Sequence, residues 1–278
     1  MPDESEGWGS RLMWAWTNRA EILGYLRMIW PWFKTESGRS ILIIGPGGAG
    51  KTTLARLLSG EFDWLLDEPW QYDESFGIEH YALKDDPKVS IVVPPGQTGR
   101  RETTWAEVER DLAAGRYRGI ILVVANGYHM IGHRSFKTHP LFQGRQDEFF
   151  AKYLKEARLD EIAVVNRIAA ALRLGTGKLW MLTVVAKEDL WWPDRQNVAN
   201  FYATGDYADP LTNLTRARGE RQTRHEIIPV SLVISNLVTG QGEVLAKNVE
   251  GYDHQQQVKS IRRLFELLDA LRKWESTS

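Results

Sequence analysis

The stretch ILIIGPGGAGKTTL, residues 41 to 54, constrains this chain more than any other. An apolar run enters a glycine-rich loop, and the loop opens directly into a helical pattern at Leu54, Leu57 and Leu58. The spacing is G-x-x-x-x-G-K-[ST], with Gly45 and Gly50 at the fixed glycine positions. Such an order lets Gly45, Gly47, Gly48, Ala49 and Gly50 curl the backbone so that successive N–H groups converge on phosphate oxygens. The positive end of a helix dipole falls on the same spot. Lys51 can then reach β- and γ-phosphates, the Thr52 hydroxyl can ligate Mg²⁺, and Thr53 continues the first helical turn. A strand–loop–helix unit built to hold a nucleoside triphosphate is implied; the motif alone does not choose between ATP and GTP.

Global properties exclude several classes. At 278 residues the chain suits one large domain or one domain with appendages, and 43% apolar residues can build a sizeable core. A formal net charge of −1 gives no global pull toward nucleic acid. Cysteine is absent, which removes disulfides, thiol catalysis and thiolate metal sites together. No apolar stretch is long enough to span a membrane, and the acidic start at Asp3, Glu4 and Glu6 is unlike a secretory leader. These features point to a cytoplasmic protein.

Residues 8 to 34 have apolar positions at three- and four-residue spacing, and five of the twelve tryptophans fall there: Trp8, Trp14, Trp16, Trp30 and Trp32. Residues 1–38 read as a Trp-rich amphipathic helix with two open roles. It packs on its own domain, or its Trp8–Phe33 face lies on a protein partner or peripherally on the inner membrane surface. Residues 39–278 read as one unit in which strands alternate with helices. Strands are expected at 40–45, 77–83, 89–93, 119–125 and 179–185, and helices at 104–114, 146–174, 193–202 and 254–274. A polar Arg- and Thr-rich stretch with Arg216, Arg218, Arg221 and Arg224 reads as a solvated loop. Residues 227–234 and 243–248 read as a hairpin turning at 239–242. His129, His133 and His139 lack the tight spacing of a helical metal pair and read as surface or substrate-loop histidines. The alternation implies an α/β three-layer sandwich with a mostly parallel sheet covered on both faces, carrying an N-terminal helix and a C-terminal hairpin and helix.

Three further elements follow the phosphate loop in order. Val93-Pro94-Pro95-Gly96-Gln97 resembles the D-x-x-G-Q element of Ras-like small GTPases, with Val93 where the family has aspartate. Ser75-Phe76-Gly77-Ile78-Glu79 resembles the T-x-G-x-x strand entry of the ADP-ribosylation-factor-like GTPases. Ala186-Lys187-Glu188-Asp189 is similar to the [NT]-K-x-D guanine motif, with alanine in place of asparagine. Ser231-Leu232 matches the last guanine loop of the family poorly. Chemically, guanine presents N1–H and N2–H₂ side by side, and an acceptor pair such as the Asp189 carboxylate fits it and not adenine.

Over residues 40 to 272 the chain therefore resembles a divergent P-loop GTPase of the Ras-like, ADP-ribosylation-factor-like type. That resemblance implies a GTP- and GDP-binding switch that hydrolyses GTP slowly and answers to a protein effector. Lys51 would neutralise the phosphates and Gln97 would orient the attacking water. Gly96 would contact the γ-phosphate, Lys187 and Asp189 would bind the base, and Thr52 and Ser75 would hold Mg²⁺. Valine at position 93 argues for weak turnover or a Mg²⁺ site completed differently. Two rivals stay open: a nucleotide-responsive binding module with little hydrolysis, and a P-loop ATPase.

Overall fold

A computed structural model describes Gly24 and residues 40–61, 77–83, 86–96, 98–132, 135–173 and 175–277. The Trp8–Phe33 helix, Ser75, Gln97 and His133 lie outside the described residues.

The central sheet has six strands: β1 (Ser40–Ile44), β2 (Glu79–Leu83), β3 (Asp86–Val93), β4 (Tyr117–Val124), β5 (Leu179–Val185) and β6 (Thr223–Pro229). Their spatial order is β2-β3-β1-β4-β5-β6. Only β2 runs antiparallel, paired to β3; every other pairing is parallel. β1, β4 and β5 are buried on both faces over nearly their whole length. That burial is why they read as unbroken apolar runs instead of alternating ones.

Helices α1 (Lys51–Ser59), α2 (Thr98–Ala113), α3 (Gln146–Leu172), α4 (Glu188–Trp191), α5 (Arg195–Ala203), α6 (Gly205–Arg218) and α7 (His254–Ser276) cover the two faces. On one face Leu54, Leu57 and Leu58 of α1 join Ile261, Leu264, Phe265 and Leu268 of α7 over Ile41, Ile43 and Val123. On the other, Trp105 of α2, Val165 and Ile168 of α3, Tyr202 of α5 and Leu211 of α6 pack over Leu42, Leu122 and Met181. A satellite cluster around Phe136, Phe149 and Leu237 fills the space beside a small antiparallel pair, β7 (Leu237–Val238) with β8 (Val244–Ala246). No described helix is long and apolar enough to cross a membrane.

Four sequence expectations are corrected. Residues 227–234 do not form a hairpin with 243–248. Instead Thr223 to Pro229 align in parallel with Leu179 to Val185 as the sixth strand of the main sheet, and the hairpin begins only at Leu237. Helix α2 begins six residues before the expected Thr104. The Arg- and Thr-rich stretch is largely helix α6, despite Pro210 within it. Apolar contacts of Tyr207, Leu211 and Leu214 outweigh the one backbone hydrogen bond that proline removes. Nor is Arg218 a solvated charge: its guanidinium donates to the carbonyls of Leu172, Gly175 and Gly177 and to Thr223 Oγ1, closing the C-terminal end of α3.

Candidate nucleotide site

Because β1, β3, β4, β5 and β6 run parallel, the loops that follow them emerge at one edge of the sheet, where ligands of open α/β folds bind. The phosphate loop leaves β1 there. Gly48 has φ +72° and Gly50, the residue before α1, has φ +103°, backbone states that side-chain-bearing residues rarely adopt. Each turn of sign re-aims the following N–H, which is how a short loop points several amides inward. Lys51 is buried and its Nζ donates to Pro46 O at 2.8 Å, so the ammonium folds over its own loop. Gly96 lies against this loop. A Cβ there would stand 2.2 Å from Lys51 Nζ and 2.6 Å from both Gly45 O and Gly47 N, an approach only glycine permits. The backbone therefore brings Gly45, Gly47, Lys51 and Gly96 together, while Ala49 is buried and Thr52 and Thr53 are half-buried on the first turn of α1.

A second cluster follows β5. Lys187 takes a left-handed backbone (φ +60°) and its Nζ donates to Tyr128 O at 2.7 Å. Asp189 is 1% exposed. Its Oδ1 accepts from the Ser231 hydroxyl and its Oδ2 from the Ser235 amide at 3.1 Å. The poorly matching Ser231 thus sits directly on the candidate guanine carboxylate. The 231–235 segment thus covers Asp189 with one hydrogen bond to each oxygen, and each oxygen keeps a further lone pair.

The loop 125–131 after β4 ties the two clusters. Met130 N donates to Gly48 O at 3.4 Å on one side, and Tyr128 O accepts from Lys187 on the other. This loop is itself held by Glu161 of α3, fully buried, whose Oε1 accepts from the amides of Ala125 and Gly127 and from His129 Nε2 at 2.8 Å. Tyr202 donates to the other oxygen. His129 is therefore a buried partner of a carboxylate and not a surface histidine, while His139 packs edge-on against Phe149 and Tyr153. Glu161 escaped the sequence reading, although a signal was present: a carboxylate on the same helical stripe as Ala157, Val164, Val165 and Ile168 needs a buried partner.

Burial sets the protonation of the second cluster. It pushes the Asp189 carboxyl up to about 6, with Ser231, Ser235 and Lys187 pulling the other way. It raises neighbouring Glu188 to about 7 against the Tyr252 hydroxyl bond, and lowers Lys187 to about 8 against Asp189. A carboxyl raised in the folded state costs stability once ionised. The nucleotide-free protein should therefore gain melting temperature as pH falls from 8 toward 5, because folding takes up protons there. Guanine affinity should move the opposite way: the Kd for GDP should rise about fivefold from pH 6 to pH 5, and about tenfold from pH 8 to pH 5, as protonated Asp189 loses its paired acceptors. Calorimetric melting and GDP titration over pH 5–8 check both slopes.

The chain's own groups fit a divalent cation shared with phosphates. Among the described residues no cluster of three His, Asp or Glu could hold a metal alone. Thr52 Oγ1 donates to Glu79 Oε2 at 3.4 Å, which turns the hydroxyl lone pairs away from the proton and leaves them for a cation. At the end of β3, where the related element carries aspartate, Val93 is fully buried in the apolar core.

No family model matches the chain, and no curated protein sequence does. Among solved structures it is similar to an ADP-ribosylation-factor-like GTP-binding protein of Encephalitozoon cuniculi, the small COPII coat GTPase SAR1, in complex with GDP. That likeness has 13% identity, covers 98% of each chain and gives a TM-score of 0.42. It is also similar to the signal recognition particle receptor SRb of Chaetomium thermophilum with GDP, at 11% identity, 84% of this chain, 96% of that one and a TM-score of 0.40. The same receptor's GTP complex with SRX shows 12% identity over 70% of this chain and 93% of that one, with a TM-score of 0.39. The strand order β2-β3-β1-β4-β5-β6, the single antiparallel edge strand and the phosphate loop after β1 give this chain a P-loop α/β fold, a mostly parallel sheet covered by helices on both faces.

Proposed function

We propose that this protein is a GTP-binding switch that hydrolyses its nucleotide slowly. The observation that carries the choice of guanine is the placement of Asp189. A carboxylate with Ser231 on it stands after β5, tied through Tyr128 and Met130 to the phosphate loop. Amides of residues 45–50 would receive the phosphate oxygens and Lys51 would leave Pro46 O to neutralise them. Gly96 is close enough to the loop to meet a terminal phosphate with its backbone. Mg²⁺, when bound, would neutralise the charge developing on the phosphoryl oxygens, with Thr52 and Ser75 as its hydroxyl ligands. Gln97, next to Gly96, would orient the attacking water. Phosphoryl transfer rests mainly on positioning and charge, so this small set suffices. The Trp8–Phe33 segment would carry the contact with a protein effector or the cytoplasmic membrane face.

Labelled GDP, GTP and ATP, titrated with and without Mg²⁺, test the reading. GDP and GTP should bind at least ~100-fold more tightly than ATP, because adenine offers one donor where guanine offers two and leaves an Asp189 oxygen unpaired. Equal affinity for ATP would turn the assignment toward an ATPase. Single-turnover phosphate release then separates a hydrolase from a binding module.

A further inference from the structure

We propose that Glu79 supplies the carboxylate of the Mg²⁺ site, on the strand beside the one where valine has displaced it. The inference rests on the GTP reading above and adds a residue to it. Glu79 and Val93 are direct partners across the antiparallel β2–β3 pair, so their side chains project from the same face of the sheet. This is the face that packs against α1, since Val93 shares its cluster with Leu54 and Ala55. Moving a carboxylate from position 93 to position 79 therefore shifts it by one strand without changing the face it serves.

Two hydroxyls already converge on it. Thr52 Oγ1 donates to Glu79 Oε2 at 3.4 Å, and Tyr81 OH, two residues along the same face, donates to the same oxygen at 2.7 Å. The Tyr81 bond holds the carboxylate in place. Among the described residues, the hydrogen bonds to Glu79 fall on Oε2, and Oε1 is the oxygen assigned to a cation or its water. By accepting the Thr52 proton, Glu79 orients the hydroxyl lone pairs toward the phosphates and makes the oxygen a better ligand, as a carboxylate behind a metal-bound side chain does. One negative charge beside a threonine hydroxyl and phosphate oxygens is a hard, all-oxygen set suited to Mg²⁺.

The test uses the full chain loaded with GDP. Electron paramagnetic resonance of Mn²⁺ reads metal affinity directly, and release of fluorescent GDP is timed in Mg²⁺ and in EDTA. Glu79→Gln keeps the shape and an acceptor for Tyr81 while removing the charge. It should weaken Mn²⁺ binding roughly 10–100-fold and erase most of the slowing of GDP release by Mg²⁺, with the EDTA rate and melting temperature unchanged. Tyr81→Phe, which loosens Glu79 without discharging it, should give a smaller loss in the same direction. Full Mn²⁺ affinity in Glu79→Gln overturns this inference alone, as does an equal change in the Mg²⁺ and EDTA rates, which marks a structural role. A wild-type chain that retains no guanine nucleotide in either condition overturns the GTP reading, and this inference with it.

Discussion

Replacing Lys51 by alanine should raise the Kd for GTP at least ~100-fold, as measured by equilibrium titration with a fluorescent analogue. The side chain is buried at the start of α1, and its Nζ already occupies the loop by donating to Pro46 O. A charged hydrogen bond contributes about 1.5–3 kcal/mol, and the ammonium can serve two phosphate groups, so a loss of about 3 kcal/mol, or ~100-fold, is the conservative expectation. The fold should survive. Alanine is the best helix former at the start of α1, and the change removes a charge that burial disfavours. Unchanged melting without nucleotide, alongside lost binding, is thus the expected pair of results. Binding that persists at wild-type strength would place the triphosphate elsewhere.

Asp189→Asn should carry the second largest effect, confined to the base. Guanine offers two donors and needs two acceptors. Asparagine keeps one acceptor and presents a donor in place of the other, so GTP affinity should fall about 30–100-fold. Xanthosine triphosphate carries a carbonyl oxygen where guanine has its amino group, and it should bind the variant better than the wild type. ATP affinity should hardly move. Local structure can absorb the change: the asparagine oxygen can still accept from Ser235 N–H, and the Ser231 hydroxyl can turn from donor to acceptor. Competition titrations with the three nucleotides read the outcome. A variant that binds GTP as the wild type does would leave the phosphate loop intact and remove the guanine assignment.

Much of this architecture was legible in residue order. Strands buried on both faces announce themselves by unbroken apolar runs, and 179–185 appears as a strand at both expected ends. The phosphate loop was legible because its glycines answer to local backbone geometry, visible at Gly48 and Gly50 as positive φ. Helix α6 was not, since Gly205, Pro210, Thr212, Asn213 and Thr215 lower local helix propensity, while the apolar contacts that hold it come from α3 and α5. The hairpin was misplaced for a similar reason. Ile227 and Ile228 can serve a hairpin or a sheet edge equally well, and pairing with β5 decides between them.

What the amino-acid order determined by itself is everything carried by neighbours in the chain: the strand–loop–helix cradle of residues 41–54, the alternation of elements, and the missing aspartate at Val93. What only the tertiary structure decided are the partnerships between residues far apart in sequence. Those are Ser231 on Asp189, Glu161 beneath the 125–131 loop, and Glu79 across from Val93 and beside Thr52. Backbone torsions and helix or strand periods are short-range properties that a few adjacent residues impose. A buried hydrogen bond between remote side chains exists only after the sheet has set the strands side by side, and no local pattern records which two will meet.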